Sequence, residues 1–300
     1  MLTNFFSTTK PVNSMFIITL FICYVATGFF TDYVSLVNIP LFLWFLTLFA
    51  IVNFVNSRND LTFDNSYFFL FFVLLLGFFP ETFKINTTFY SNIVLTLYVR
   101  RVYSFQSSKN IIKKLFDSGF WIGISFLIEP FTLLFFPLTF LAILIHEHID
   151  IRRILSPILG FLVPLLLFFT YCFWYDNIAQ FEQLFNWNTS YDFSFYNNFR
   201  YIILFSLLLL LVTISSALKS PQTLRVKNTF RKSWILVCLH FFFSLLLLLV
   251  LRTRNGSEVL YILFPAALVI ANGFELFRKK WFADIIILVI LAASLLPYFY

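Results

Sequence analysis

Long apolar segments and short basic clusters alternate along the whole chain. Two apolar segments lie between successive clusters, and the loop that joins them carries little positive charge. Because basic loops stay on the cytoplasmic side of a membrane, this alternation predicts a polytopic membrane protein with its N-terminus inside. The clusters hold 17 of the 21 Lys and Arg residues: Lys10; Arg58; Arg100, Arg101, Lys109, Lys113 and Lys114; Arg152 and Arg153; Lys219, Arg225, Lys227, Arg231 and Lys232; Arg278, Lys279 and Lys280.

The pattern predicts an all-α transmembrane helix bundle of about 11 spans, with the C-terminus outside. The apolar runs are continuous rather than alternating, which favours helices over barrel strands. We expect residues 1–300 to form a single integral membrane domain. The spans are placed at Ser14–Phe30, Ser35–Val55, Ser66–Phe79, Phe89–Val102, two within Phe116–Ile145, Ile154–Trp174, Tyr201–Leu218, Trp234–Leu251, Val259–Phe277 and Phe282–Pro297.

The segment Phe116–Ile145 has two possible arrangements. As one helix it would be about 45 Å long, against a hydrocarbon core of about 30 Å. It would also put Lys113 and Arg152 on opposite sides of the membrane. Two short helices that turn at Glu129 and Pro130 keep every basic cluster inside, so the charge pattern favours a hairpin of spans five and six.

The composition excludes a soluble fold, since 60% of the residues are hydrophobic and only 12% are charged. The net charge of +7 is explained by basic helix ends facing anionic head groups, so we expect no nucleic-acid partner. The three cysteines are dispersed in apolar segments, which argues against disulfides. His146 and His148 lack enough neighbouring ligands for a metal, and we expect no metal and no cofactor.

Four basic residues break the charge rule: Lys84, Arg200, Arg252 and Arg254. Arg252 and Arg254 share the short outer segment LRTRNGSE with Glu258. Guanidinium forks there could hold a lipid phosphate or pyrophosphate. Alternatively, Arg254 pairs with Glu258 while Arg252 extends to the head groups.

The candidate substrate-binding residues are Arg200, Arg252, Arg254 and Glu258 together with two further acidic residues, Glu129 and Glu81. Glu129 is the most deeply embedded acid, and it either lines a cavity or lies at the exposed tip of the hairpin. Glu81 follows Pro80 at the outer end of span three, where an interfacial position is favoured over a cavity. No catalytic residue can be assigned from the sequence.

The opening TTKPVNSMFII, together with the length and helix pattern, resembles an uncharacterised family of bacterial polytopic membrane proteins. The segments GFWIGISFLIEPFTLLFFPLTFLAIL and RTRNGSEVLYILFPAALVIANG are similar to parts of GT-C membrane glycosyltransferases. That second resemblance implies an outward-facing cavity for a lipid-linked glycan. The chain departs from GT-C enzymes in its first outer loop, which is about five residues around Asp32 instead of a large loop with a catalytic acid.

These observations lead to three functional hypotheses for a protein of the bacterial inner membrane. The first is a role in envelope biogenesis, with a GT-C-like cavity that handles a polyprenyl- or lipid-linked glycan or a lipid phosphate. The second is a non-catalytic subunit or scaffold of an envelope or secretion complex, with membrane-protein partners. The third is a transporter. Membrane lipids are expected partners in all three.

Overall fold

The computed structural model describes residues 2–31, 40–147, 149–187, 189, 192–223, 225, 228–252, 254–277 and 279–299. Within these residues the regular structure is helical and no strand occurs, which confirms the all-α class. The α-helices are α1 Leu2–Phe6, α2 Pro11–Phe30, α3 Pro40–Arg58, α4 Tyr67–Phe78, α5 Thr87–Tyr103, α6 Ile111–Ile128, α7 Phe136–Ile145, α8 Ile151–Trp174, α9 Ile178–Gln183, α10 Phe199–Thr223, α11 Asn228–Val250, α12 Leu260–Phe274 and α13 Lys280–Leu295.

Among the described residues, six helices are long and apolar enough to cross a membrane, so this is a membrane protein. The remaining predicted spans fall in shorter helices or in helices with more charge, such as the 12-residue α4. The count of 11 spans and the sides of the two termini therefore stay predictions. The six long segments are Pro11–Phe30, Ile151–Trp174, Phe199–Thr223, Phe230–Val250, Ser257–Phe274 and Lys280–Tyr298.

The helices are divided between two compact units. Unit 1 consists of Met1–Ile85, Asp192–Phe241 and Arg254–Tyr300, and unit 2 consists of Asn86–Tyr191 and Phe242–Thr253. The chain therefore passes twice from unit 1 to unit 2 and back. The expectation of one integral domain stays a prediction.

The centre of unit 1 is formed by α4 and α12. Every residue of α12 is buried, as are nearly all those of α4, and the two helices pack against each other. Close backbone approach is built into both: a Cβ at Gly77 would lie 2.7 Å from the ring of Tyr24 in α2. One at Gly273 would lie 2.4 Å from Cβ of Ser215 in α10. Larger residues at these glycines would push α2 and α10 away from the centre.

The central helices of unit 1 are apolar in the middle and polar at their ends. On α10, Arg200 and Lys219 are separated by about 28 Å of helix, close to the thickness of a hydrocarbon core. Glu81 follows α4 in a 3₁₀ turn, while Glu258 precedes α12 and Glu275 follows it. These charged side chains therefore lie at the ends of the central helices, apart from their apolar middle.

In unit 2, α6 and α8 run parallel with their backbones in contact. The Ser156 hydroxyl near the start of α8 donates to the carbonyl of Ile112 at the start of α6, 2.9 Å away. A Cβ at Gly119 would lie 1.9 Å from the carbonyl oxygen of Pro157, and one at Gly160 would lie 2.1 Å from that of Phe116. Only glycine permits this approach, which is the small-residue packing of membrane helices.

Parallel packing of α6 and α8 requires the chain between them to run back. It does so through a 3₁₀ turn, Pro130–Phe135, and then α7, with Glu129 in extended conformation directly before the turn. Lys113 and Arg153 consequently lie near the same ends of α6 and α8. The geometry fits the hairpin that the charge pattern favours, in place of one long helix.

Candidate functional site

Glu81 and Arg200 form a buried ion pair in unit 1. Nη2 of Arg200, in the first turn of α10, donates to Oε1 of Glu81 at 2.7 Å, and the two side chains are only 12% and 4% exposed. The phenol of the neighbouring Tyr201 donates to the same carboxylate oxygen. Pro80 begins the 3₁₀ turn that carries Glu81, because its fixed φ suits the first helical position. Glu81 is therefore buried and paired within the protein, and its depth in the membrane stays a prediction.

Glu258 lies in a second turn of the same unit and is also buried, with 1% exposed. The phenol of Tyr196 donates to its Oε1, and the backbone N–H of Asn255 donates to its Oε2 at 3.2 Å. Tyr196 precedes α10 in a 3₁₀ turn. Burial, followed by the adjacent Glu258 carboxylate, raises the pKa of Tyr196 well above its usual range.

The two carboxylates belong to one cluster because the turns that carry them are in contact. Gly256, with a φ of +85°, packs so closely that a Cβ there would lie 2.9 Å from Cβ and Cγ of Glu81. The rings of Tyr196 and Tyr201 meet edge to face, 5.6 Å between centroids. We call this group the Glu81 cluster: Glu81, Tyr196, Arg200, Tyr201 and Glu258.

Arg254 lies at the edge of the Glu81 cluster. Its guanidinium stacks on the ring of Phe193, 3.8 Å from the centroid, and its charge acts on Glu258 and on Asp192. The backbone N–H of Ser194 donates to Asp192 at 2.9 Å. The backbone and side-chain hydrogen bonds from Ser194 lower the pKa of Asp192, and the Arg254 charge adds to this effect. An arginine held on an aromatic face keeps its planar fork oriented.

A cavity of about 440 Å³ opens beside Arg200 in unit 1. Its walls are mainly apolar and come from the start of α10 and the turn after α13. The residues that line it are Asn198, Phe199, Arg200, Ile203 and Leu296. A cavity with one guanidinium among apolar walls suits a ligand that combines an anion with an apolar part.

Comparison with known proteins assigns a family but no activity. A single family model matches residues 1–300. The chain belongs to DUF6427, a family of unknown function. No curated protein and no solved structure matches the chain. The chemistry of this DUF6427 protein therefore has to be argued from its own side chains.

The other two candidate residues belong to unit 2. Glu129 is half-buried at the corner between α6 and the 3₁₀ turn, where the backbone N–H of Phe131 faces its carboxylate. The ring of Phe131 packs edge to face against Trp187, with centroids 5.9 Å apart. Arg252 is exposed directly after α11. Neither residue is a member of the Glu81 cluster, and their roles as substrate ligands stay predictions, as do those of the other four candidates.

The DUF6427 protein holds a second buried ion pair in unit 1. Nζ of Lys219, near the end of α10, donates to Oε2 of Glu275 at 2.9 Å, and the side chains are 4% and 9% exposed. The Lys219 ammonium also faces the rings of Phe63 and Phe230, 4.7 and 5.2 Å from their centroids. Oε1 of Glu275 accepts from Nδ2 of Asn65 at 2.7 Å and from the backbone N–H of Phe63 at 3.1 Å. We call Phe63, Asn65, Lys219, Phe230 and Glu275 the Lys219 cluster.

Sequence reasoning selected four residues that the structure brings together, Glu81, Arg200, Arg254 and Glu258, and it missed their tyrosine partners. Tyr196 and Tyr201 are close in sequence to Arg200, which is predicted to lie outside, but no spacing rule connects them with Glu81 or Glu258. Asp32 and His148 lie outside the described residues. Within those residues, no group of three or more His, Cys, Asp or Glu side chains could hold a metal ion.

Proposed function

We propose that this DUF6427 protein acts in biogenesis of the bacterial cell envelope and binds an anionic lipid or lipid-linked substrate beside the Glu81 cluster. The observation that carries the proposal is the position of Arg200. Arg200 lines an apolar-walled cavity, and Glu81 and Tyr201 fix the orientation of its guanidinium. A guanidinium held in this way presents a preorganised fork to a phosphate oxygen.

The cluster also offers an acceptor for a hydroxyl group. Oε2 of Glu81 is buried and has no hydrogen-bond partner among the described residues. A buried carboxylate oxygen without a donor is unfavourable, and a ligand hydroxyl or a water would satisfy it. A phosphate at Arg200 with apolar walls around it fits a glycosyl or glycerol phosphate carried on a lipid.

The second candidate function, a non-catalytic subunit or scaffold, is favoured by a different observation. The charged groups of the Glu81 cluster largely pair with one another. A closed network of this kind can have a purely structural role, which is to fix the positions of three helices. A scaffold would need Arg200 for its shape, whereas a binding protein would need the cavity as well. A substitution in the cavity therefore distinguishes the two functions, whereas a substitution in the ion pair does not.

The test fills the cavity while leaving the ion pair intact. Ile203→Trp puts an indole into the cavity, and Ile202→Trp makes the same change at a neighbouring residue that is 52% exposed and does not line it. Both variants are expressed in a deletion strain, and envelope integrity and lipid-linked intermediates are measured by detergent sensitivity and mass spectrometry.

If the cavity binds substrate, Ile203→Trp fails to restore the envelope while Ile202→Trp restores it. The lipid that copurifies with the wild-type protein is then lost from Ile203→Trp alone. Full complementation by both variants, at normal protein levels, rejects binding in this cavity and leaves the scaffold as the better proposal.

A further inference from the structure

A second cavity of unit 1, about 480 Å³ in volume, opens beside the Lys219 cluster and plays no part in the function proposed above. Lys219 and Glu275 line it together with Asp64 and Lys280, and aromatic side chains form much of the remaining wall. Because Lys219 is separated from Arg200 by about 28 Å of helix, this cavity is distinct from the one beside Arg200. The charge pattern predicts that it faces the cytoplasmic leaflet.

Both ammonium groups in the wall of the cavity keep unused hydrogen-bond donors. The Lys219 ammonium has three N–H groups and one hydrogen-bond acceptor among the described residues, Oε2 of Glu275. The Lys280 ammonium likewise donates to one, Oδ1 of Asn4 at 2.5 Å. The carboxylates are partly occupied: Glu275 accepts from three donors, and Oδ1 of Asp64 accepts from the Thr9 hydroxyl.

Burial makes the unused donors of Lys219 chemically meaningful. Lys219 is 3% exposed, so water cannot solvate its remaining N–H groups freely, and two ring faces compensate only part of the lost hydration. An anion in the cavity would accept from these donors. Basic pockets between membrane helices at the cytoplasmic side are typical sites for lipid phosphate.

The neighbouring carboxylates limit the charge of that anion. Asp64 and Glu275 line the same cavity as the two ammonium groups, and they would repel a dianion more strongly than a monoanion. A phosphodiester carries one negative charge and two substituents, which the aromatic walls at Tyr67, Phe274 and Phe277 can contact.

We propose that this cavity binds a phosphodiester group between the ammonium groups of Lys219 and Lys280. The group comes either from a phospholipid headgroup or from a free phosphodiester of the cytoplasm. The two sources share the same chemistry and differ in whether acyl chains contribute to binding.

The experiment measures binding to the full-length protein in detergent by thermophoresis, with two probes. One is dihexanoyl phosphatidylglycerol, and the other is glycerophosphoglycerol, its deacylated form. Lys280→Glu reverses a charge at the rim of the cavity, and Lys279→Glu makes the same change at an adjacent exposed residue that does not line it.

We expect saturable binding that Lys280→Glu weakens by about tenfold or more, since a charge-assisted hydrogen bond is lost and a repulsion added. Lys279→Glu leaves it unchanged. Equal affinity for both probes identifies a free phosphodiester as the source, and binding of the acylated probe alone identifies the lipid. The double variant Lys219→Met with Glu275→Met, which leaves no lone buried charge, also loses binding.

Three results overturn the proposal: no saturable binding of either probe, equal weakening by both lysine variants, or binding that survives the Lys219–Glu275 double variant in a folded protein. Ile203→Trp separates this proposal from the function at the Glu81 cluster. It leaves phosphodiester binding intact if the Lys219 cavity is the site, whatever happens to envelope function. Loss of binding in Ile203→Trp but not in Lys280→Glu assigns the probe to the other cavity and rejects the present one.

Discussion

At the scale of single residues, the charges of unit 1 are notable for being buried in pairs. Removing water from two ions costs several kcal/mol each, and only close, well-oriented partners compensate for that cost. Glu81 and Lys219 each have one oppositely charged partner on a distant part of the chain and further contacts to tyrosine or phenylalanine. Replacing one member of such a pair should lower the stability of the fold strongly, whereas replacing both members should lower it less. This difference can be measured.

The first residue-scale prediction concerns Glu81 and Arg200. Arg200→Ala leaves the Glu81 carboxylate buried without its cation, and we expect it to lower the free energy of unfolding by about 3–5 kcal/mol. Glu81→Leu with Arg200→Leu removes both charges and should cost less than Arg200→Ala alone. Thermal unfolding in detergent, followed by circular dichroism, gives the comparison. A double variant less stable than the single one would contradict an ion pair that serves mainly to neutralise two buried groups.

The second concerns Tyr196, whose pKa is raised by burial and by Glu258. Because its pKa in the folded protein exceeds the unfolded value of about 10, the hydrogen bond stabilises the fold fully below pH 10. That stability declines as the pH rises further towards the folded pKa. Tyr196→Phe should therefore lower stability by about 1–3 kcal/mol, equally at pH 7 and pH 9.

Melting temperatures of wild-type protein and Tyr196→Phe at pH 7, 9 and 11 test this, with the exposed Tyr90→Phe as the control. The difference between wild type and Tyr196→Phe should shrink only at pH 11. If the difference in melting temperature vanished between pH 7 and pH 9, Tyr196 would ionise in that range, which would contradict its raised pKa.

At the scale of helices, the sequence predicted well which segments form helices, and it predicted approximately where those helices begin and end. The first predicted span, Ser14–Phe30, corresponds to α2 at Pro11–Phe30, and the predicted turn at Glu129 and Pro130 separates two helices. These features depend on local hydrophobicity and on proline, which a sequence displays directly. The burial of Glu81 depends on Arg200 and Tyr201, more than a hundred residues away, and no local pattern contains that information.

A cluster of basic residues in the sequence likewise does not show which of its members is buried. Lys219 counts as one of five basic residues in a predicted cytoplasmic loop, yet it lies inside α10 and is buried against Glu275. The predicted span ended at Leu218, one residue before Lys219, whereas α10 continues to Thr223. Glu275, directly after the apolar segment of α12, offered a partner of opposite charge, but only the packing of α10 on α12 shows that they meet.

The packing of α6 on α8 gives an element-scale prediction. Gly160→Leu places a side chain where a Cβ alone would lie 2.1 Å from the carbonyl oxygen of Phe116. We expect it to destabilise the fold by about 1–3 kcal/mol or more, because two backbones must separate. Leu159→Phe adds volume at a neighbouring residue of α8 that is 58% exposed, and it should leave the melting temperature unchanged. Equal melting temperatures for the two variants would mean that the close contact carries no stability.

At the scale of the whole molecule, orientation in the membrane follows from the basic clusters and stays a prediction. The rule has a physical basis in the membrane potential and in anionic lipids, and it is counted over short loops such as these. The structure adds one independent constraint within unit 2. Because α6 and α8 run parallel with Ser156 bonded to Ile112, residues at the starts of these two helices must lie on one side.

Cysteine labelling tests the topology as a whole. Single cysteines replace Lys113, Arg153 or Lys279, predicted inside, in a background where Cys23, Cys172 and Cys238 are serine. A membrane-impermeant maleimide should label none of these in intact spheroplasts and all of them after permeabilisation. Three further positions lie outside the described residues and extend the same test: Lys227 inside, and Asn188 and Tyr300 outside.

Lys113 and Arg153 are the decisive pair in that experiment. The charge rule and the parallel packing of α6 and α8 both require them on the same side, although the two arguments share no assumption. If both are protected while Asn188 is labelled, the hairpin of spans five and six is established in the membrane. Labelling of Arg153 but not Lys113 would require one long crossing between them and would put every later loop, including the one that follows Lys219, on the opposite side from the prediction. Labelling of both would instead invert the whole chain, leaving the hairpin intact but placing Arg200 towards the cytoplasm.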